Sequence, residues 1–511
     1  MRNVHNPQAS LGELNIADIR INPKSRDDIP AILLGLQYIY TTPDVRQKVF
    51  DVLAQLLPTS KSDSSRKASP KRGRSGMDQW KILVLGTLRL GLNTDYDRIH
   101  DLANHHNLIR EMLGHGRDVF GEEAIATEYS LQTIKDNLML FTPEILDEIN
   151  QIVVQAGHTL VKKSPKDGET EEIESLGGRC DSFVVETHVH FPTDINLLYD
   201  AVRKAIEESA DLAERYALTG WRQYKHNIKK LKIQYRKIQK IKHSTSKDEE
   251  KKRVRSELIK QQHQIYIDMA THWIERSEQT LEQINAVIGV MEHETLMLRE
   301  YQAYTNTFIG QIHRRVILDE KIPHSEKIFS IFQPHTEWVR KGKAGVFVEL
   351  GLRVSIMEDH HGFILHHKVM EGETDEKVTI EMVQESQKRF PALNSASFDK
   401  GYYTPDNLKE LQQQLELAVL PKKGKRSKAD QEREGSEEFG TLRKQHSAVE
   451  SAINALEQHG LDTCPDHGIN GFKRYVALAV VSRNIHQLGT IIRKQQLDKE
   501  KRKRGPYKKA A

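Results

Sequence analysis

The 511-residue chain is predicted to be an α/β protein: a mixed sheet interrupted by a long α-helical, coiled-coil-like block and preceded by an all-α region. Three observations predict it. Runs rich in β-branched and aromatic residues occur at 182–191 and again from Val346. The stretch from Asn196 to about Gln302 keeps a helical period throughout. After residue 362 strands and helices alternate, which is the pattern of an α/β sheet.

In the first of these runs, Asp181 stands at the start of a strand that continues through Ser182–Phe191 and stops at Pro192. A carboxylate there either ends the strand as a solvated turn former or holds a metal at the sheet edge. Two acids further along the chain bear on the choice.

From the N-terminus, Asp28–Pro58 reads as a helical pair, with Pro30 and Pro43 at first-turn positions and Thr42 as a cap. Residues 59–77 are Ser, Lys, Arg, Pro and Gly, a basic flexible linker. Residues 78–157 return to helical periodicity, with Ser130 and Thr142 as caps. Short helices with tight turns are compatible with a helix-turn-helix DNA reader whose helix at Leu131–Leu138 carries Gln132, Lys135 and Asn137. A plain helical bundle is the simpler reading of the same residues. Residues 158–178 read as a polar linker, and 179–195 as the first part of the sheet domain.

The helical block spans 196–330. Tyr224, Ile228, Leu231, Tyr235 and Ile238 recur at spacings of four and three, a coiled-coil seam. On the same helix Arg222–Lys242 holds nine Lys or Arg and no acid. Ser246 and Glu249 have capping-box spacing, and Val254, Leu258, Ile265 and Met269 form a second seam, so a helical hairpin is expected. The rest of the sheet domain covers 331–490: strands at Val346–Met357 and Gly362–Met370, a helix to Arg389, a strand at Ala396–Asp399, a helix from Thr404-Pro405, a strand at Leu415–Leu420 and a helix at Thr441–His459. A basic tail occupies 491–511.

Composition narrows the partners. The net charge of +4 is small, but Lys61–Arg74 holds six Lys or Arg against Asp63, and Arg493–Lys509 nine against Asp498 and Glu500. Such runs suit a polyanion, though solvated tails look the same. Mean hydropathy is −0.61, no apolar run approaches the roughly 20 residues of a membrane span, and no signal-peptide pattern is read at the N-terminus. A cytoplasmic protein is expected. Cys180 and Cys464 form no CxxC pair and read as reduced structural thiols.

Asp399 ends its strand just before Gly401 and a helix start, in the crevice where open α/β sheets bind ligands. Glu450 lies one step from the apolar stripe Leu442, Val449, Ile453, Leu456, at the margin of a buried face. Hard divalent cations prefer oxygen ligands, and two Mg²⁺ roughly 3.5–4 Å apart serve phosphodiester exchange. Glu186, His188 and His190 share a strand face and are a weaker, His-based metal alternative. His360-His361 and His366-His367 read as polar surface around a hairpin.

The runs Arg26-Asp-Asp-Ile-Pro, Asp181-Ser to His190-Phe-Pro-Thr-Asp194, Phe398-Asp-Lys-Gly-Tyr-Tyr403, Pro421-Lys-Lys-Gly424, His446-Ser-Ala-Val-Glu-Ser-Ala-Ile-Asn-Ala-Leu-Glu457 and Gly471-Phe-Lys-Arg-Tyr-Val476 resemble insertion-sequence transposases of the ISNCY type. The resemblance covers about residues 20–490. It implies an RNase H-like catalytic core interrupted by the helical block, an N-terminal DNA-binding region, and Asp181, Asp399 and Glu450 as a catalytic, metal-holding DDE triad. It further implies Mg²⁺ or Mn²⁺ as cofactor, double-stranded DNA as partner (terminal inverted repeats and target DNA), and a homo-oligomer on DNA in the nucleoid. Related transposases often place Tyr, Arg and Lys around the last Glu; those positions here hold Arg443, His446 and Glu457, a departure from the pattern.

Candidate phosphate contacts are Arg66, Lys67, Lys71, Arg72 and Arg74 in the linker, and Lys229, Lys230, Lys232, Arg236 and Lys237 on the long helix. Near the triad they are Lys422, Lys423, Lys425, Arg426, Arg443 and His446. The alternative is a decayed or domesticated copy acting as a DNA-binding scaffold; a coiled-coil structural protein would explain 196–300 but not the strands around Asp399.

Overall fold

The computed structural model describes residues 3–5, 15–56, 76–116, 128–162, 175–243, 248–286, 292–340 and 347–504. It divides into two compact units. Met1–His188 and Lys341–Ala511 make the first, and Val189–Arg340 makes the second.

The first unit opens with helices α1 (Asp28–Thr41), α2 (Pro43–Leu53), α3 (Gln79–Gly91), α4 (Tyr96–His105), α5 (Asn107–Met112), α6 (Leu131–Leu138) and α7 (Pro143–Val161). Their starts follow local capping chemistry: Asp27, Asp95, Ser130 and Thr142 each accept a bond from a first-turn N–H. Strand β1 (Leu176–Thr187) follows. In the second segment come β3 (Val348–Asp359), β4 (Ile364–Met370), α12 (Asp375–Arg389), β5 (Leu393–Phe398), α13 (Pro405–Gln414), β6 (Leu417–Val419), α14 (Lys428–Gly435), α15 (Glu437–His446), α16 (Ala448–Leu456), β7 (Thr463–Cys464) and α17 (Gly468–Arg504). β2 belongs to the second unit.

Within this unit the sheet is mixed, in the order β4-β3-β1-β5-β6. β3 runs antiparallel to both β4 and β1, while β1, β5 and β6 are parallel. β7 pairs with the far end of β1 at Glu186 and Thr187. Helices α1–α7 and α17 share one hydrophobic core with this sheet, from Ile32 and Leu36 through Leu83 and Val153 to Val185, Val354 and Val481. α1 and α17 approach with backbones in contact. A Cβ at Gly489 would lie 1.7 Å from the Ala31 carbonyl oxygen, and one at Gly35 would lie 2.2 Å from that of Ile485. The terminal helices are therefore a structural part of the sheet domain.

The second unit contains α8 (Asp194–Arg215), α9 (Tyr224–His243), α10 (Glu249–Asn285), α11 (Glu292–Ile312) and the short strand β2 (Glu337–Arg340). Leu198 and Val202 of α8, Tyr266 and Ile274 of α10, and Leu298 and Phe308 of α11 form its core, joined by Leu231 and Ile238 of α9. α9 and α10 fold back on each other, with Gln234 Nε2 donating to the Gln262 carbonyl at 3.0 Å. Among the described residues, no helix is long and apolar enough to cross a membrane.

Several expectations are corrected. Asp181 is not at the start of its strand but in its middle: pairing with β3 on one side and β5 on the other recruits Leu176-Gly177-Gly178, residues whose composition reads as linker. The strand ends at Thr187, so the alternation that would place His188 and His190 with Glu186 stops before they are reached. The helix expected at Thr441–His459 is broken at Ser447 into α15 and α16, with a π-type turn at Glu457–Leu461. Most of the expected second seam faces solvent: Val254 is 62% exposed, and Leu258 and Ile265 are each 39%, while Met269 packs against the core of this unit. The buried line one step away runs through His263, Tyr266, Ala270, Trp273 and Ser277, because α10 packs against α8 and α11 as well as α9. Asp248, not the expected pairing of Ser246 with Glu249, caps α10; Ser246 lies outside the described residues. The basic stretch at 491–511 continues α17 as far as Arg504, and Arg493 is engaged in it, with Nε donating to the Pro23 carbonyl at 2.7 Å.

Candidate active site

Parallel pairing builds the site. Cys180 of β1 pairs with Phe398 of β5, the last position of that ladder, so the next residues on the two strands, Asp181 and Asp399, stand side by side. Asp181 is half-buried, and its Oδ1 accepts a hydrogen bond from the Ser182 N–H at 2.8 Å. Asp399 is exposed and heads the 3₁₀ turn Lys400–Tyr402. That turn is pinned from below. The buried Tyr402 hydroxyl is 3.0 Å from Ser355 Oγ, which is 3.5 Å from Cys180 Sγ, and the Tyr402 carbonyl accepts from Asn407 Nδ2 at 2.9 Å. Glu450 comes from the first turn of α16, whose Val449, Ala452 and Leu456 are buried and which packs on β1.

These acids lie in one another's field. The Asp181 carboxyl is pushed up to about 6, first by burial and then, against the opposing Ser182 N–H bond, by the negative charges of Asp399, Asp375 and Glu450. Three sequence-predicted residues are thus brought together from three elements. Their donor chemistry, a half-buried carboxylate in the field of two others, fits a hard divalent cation, which relieves such repulsion. Among the described residues no group of three or more His, Cys, Asp or Glu is gathered closely enough to hold a metal as it stands. The carboxylates share a neighbourhood without converging on one point.

His446, at the end of α15, is half-buried, and its Nδ1 lies 3.0 Å from Ser397 Oγ of β5. Burial lowers its pKa, opposed by the charges of Asp399 and Glu450, so its imidazole tends to neutrality. It sits at the acids, tied to the sheet. Arg443, one turn earlier, is exposed.

The loop after β6 divides its lysines. Lys422 Nζ pairs with Asp430 and the Lys422 N–H donates to Glu434 at 2.7 Å, while Arg426 pairs with Glu434 at 3.0 Å. Lys423 and Lys425 are exposed. On α9, Lys229, Lys230, Lys232, Arg236 and Lys237 are all exposed. Arg66, Lys67, Lys71, Arg72 and Arg74 lie outside the described residues. On α6, Asn137 is buried and its Nδ2 donates to the Thr133 carbonyl, which removes it from the face a groove-reading helix would offer; Gln132 bonds Asp136.

One acid escaped the sequence reading. Asp375, the first residue of α12, accepts a hydrogen bond from Ser182 Oγ at 2.7 Å. A helix is expected there, but nothing local ties Asp375 to a strand 193 positions earlier.

The chain matches no protein-family model, and no curated protein or solved structure matches it.

Proposed function

We propose that this protein is a divalent-metal-dependent DNA transposase that cleaves at the terminal inverted repeats of its own insertion sequence and joins the freed ends to target DNA. The observation that carries the reading is the adjacency of Asp181 and Asp399 on parallel strands with Glu450 supplied by a helix packed on the first of them. The strand order supports an RNase H-like core: three antiparallel strands, then two parallel ones. It agrees with the resemblance to ISNCY-type transposases.

Asp181, Asp399 and Glu450 would hold Mg²⁺ or Mn²⁺. The bound ions would activate a water or a 3′-hydroxyl and stabilise the leaving oxygen. The chain's own contribution is orientation and charge. Exposed Asp399 and Glu450 leave the site open to a duplex, while half-buried Asp181 anchors it. Lys423, Lys425 and Arg443 would take phosphates beside the acids, and the acid-free face of α9, in the second unit, is a separate candidate for phosphate binding. A homo-oligomer holding both ends in the nucleoid belongs to the same reading.

A DNA-binding scaffold that no longer cuts is the second reading, favoured by the carboxylates' lack of convergence. Mg²⁺-dependent cleavage of DNA carrying the gene's own flanking ends separates the two. Cutting at the element boundary by the wild type and not by Asp399→Asn is the expected result. Binding of the ends without cutting by both proteins would transfer the assignment to the scaffold, and equal cutting by both would remove Asp399 from the site.

A further inference from the structure

We propose that Asp375 is a positioning residue for this acidic site, acting through Ser182 and through the turn that carries Asp399; the inference rests on the reading of the site given above. Its carboxylate is bonded to one segment and lies beside the other. Oδ1 accepts from Ser182 Oγ at 2.7 Å, and the backbone N–H of the same serine donates to Asp181 Oδ1 at 2.8 Å. On the opposite side, a Cβ added at Gly401 would stand 3.1 Å from Asp375 Oδ2, tighter than ordinary van der Waals contact, so the carboxylate fills the space beside the turn that follows Asp399.

The helix bearing Asp375 is tied to the same turn. Thr379 Oγ1 donates to the Tyr402 carbonyl at 3.3 Å, and Asn407 Nδ2 bridges the carbonyls of Glu376 and Tyr402 at 2.7 and 2.9 Å. β1 and the Asp399 turn come from parts of the chain more than 200 residues apart, and a short ladder ending at Cys180 and Phe398 is what pairs them near the acids. Beyond that ladder, Asp375 is bonded to β1 through Ser182 and lies beside the turn that follows Asp399. A site whose geometry must hold within about 0.5 Å needs such support, and losing an outer-sphere partner typically costs 10- to 100-fold in metal affinity.

The test uses the full chain with Ser182→Ala, Asp375→Ala, Asp375→Asn and the double variant Ser182→Ala/Asp375→Ala. Mn²⁺ binding is followed by calorimetry, and amide hydrogen exchange is read in peptides covering 178–184 and 397–404, with thermal melts as a folding control. Asn keeps an acceptor oxygen for the serine hydroxyl and removes the charge. Positioning predicts that Ser182→Ala and Asp375→Ala each weaken Mn²⁺ about tenfold or more. It also predicts that both quicken exchange in the two segments, that Asp375→Asn stays close to wild type, and that the double variant is no worse than the poorer single. If Asp375→Asn is as damaging as Asp375→Ala while Ser182→Ala is silent, Asp375 acts by its charge and the proposal falls. If neither segment exchanges faster in Asp375→Ala, it falls as well. Absence of Mn²⁺ binding by the wild type would overturn the metal-enzyme reading itself, and the exchange data would then decide positioning alone.

Discussion

Lys422 Nζ lies 2.5 Å from Asp430 Oδ2, and Asp430 also accepts from the Ser427 hydroxyl and N–H in a capping box that starts α14. These bonds hold the Asp430 carboxyl well below the usual carboxylate range. In a loop that reads as uniformly basic, one lysine is therefore committed to the fold while its neighbours Lys423 and Lys425 face solvent.

A salt titration of DNA binding separates the two roles. Each phosphate contact adds about 0.9 to the slope of log affinity against log salt on duplex DNA. Lys423→Ala and Lys425→Ala are each expected to lower that slope by about one. Lys422→Ala should leave the slope nearly unchanged and instead make the loop more open to proteolysis. Slopes unchanged from wild type for all three would show that the loop does not touch DNA.

Metal binding should depend on pH. With the Asp181 carboxyl raised to about 6, a proton competes with a cation below that pH, so Mn²⁺ affinity is expected to climb as pH rises from about 5 to about 7 and then level off. Calorimetry across that range checks it, and Asp181→Asn should both weaken binding and flatten the profile.

Stability should fall across a neighbouring window. Glu358 is buried, and its carboxyl is pushed up to about 7 because burial outweighs the attraction of Arg179, 3.1 Å away, and of Arg483. A raised folded-state pKa binds the proton more tightly in the native state. The stabilisation is therefore complete below the unfolded value near 4.5 and is lost as pH rises through about 7. The slope from this one group is at most roughly 1.4 kcal/mol per pH unit. Glu358→Gln should flatten the pH dependence of the melting temperature between about 5 and 7; an unchanged dependence would remove Glu358 as its source.

The helix crossing at Gly489 should tolerate no side chain. A Cβ there meets the Ala31 carbonyl at 1.7 Å, so Gly489→Ala must push α1 and α17 apart, at a cost of at least the 1–3 kcal/mol typical of overpacking. A matching alanine at Gly440, where a Cβ meets nothing within 4 Å, is the control and should leave the melting temperature within a degree or two.

Much of the molecule was legible from signals within a turn or two of each residue. Ser130, Thr142 and Thr404 cap the helices they were expected to start, because a side-chain oxygen satisfying an N–H three residues on is a local event. Leu231 and Ile238 are buried as the spacing on α9 required. The strand at Asp399 and the helix after it were marked by Gly401 and Thr404-Pro405. Misreadings fell where partners are remote: β1 gained Leu176-Gly177-Gly178 from its two neighbours, and α10 turned Val254 and Leu258 outward because its packing partners, unlike its period, are not written in its own sequence.

Residue types and local periods told which acids deserved attention, since a carboxylate at a strand end or beside a helix's apolar stripe is recognisable from its neighbours. Their assembly was decided elsewhere. Asp181 and Asp399 become adjacent through the register of β1 and β5, Glu450 is aimed by a helix that breaks at Ser447, and Asp375 enters through a hydrogen bond spanning 193 positions. Pairing and packing between distant segments set those relationships, and the free energy that selects them belongs to the whole folded chain rather than to any window of it.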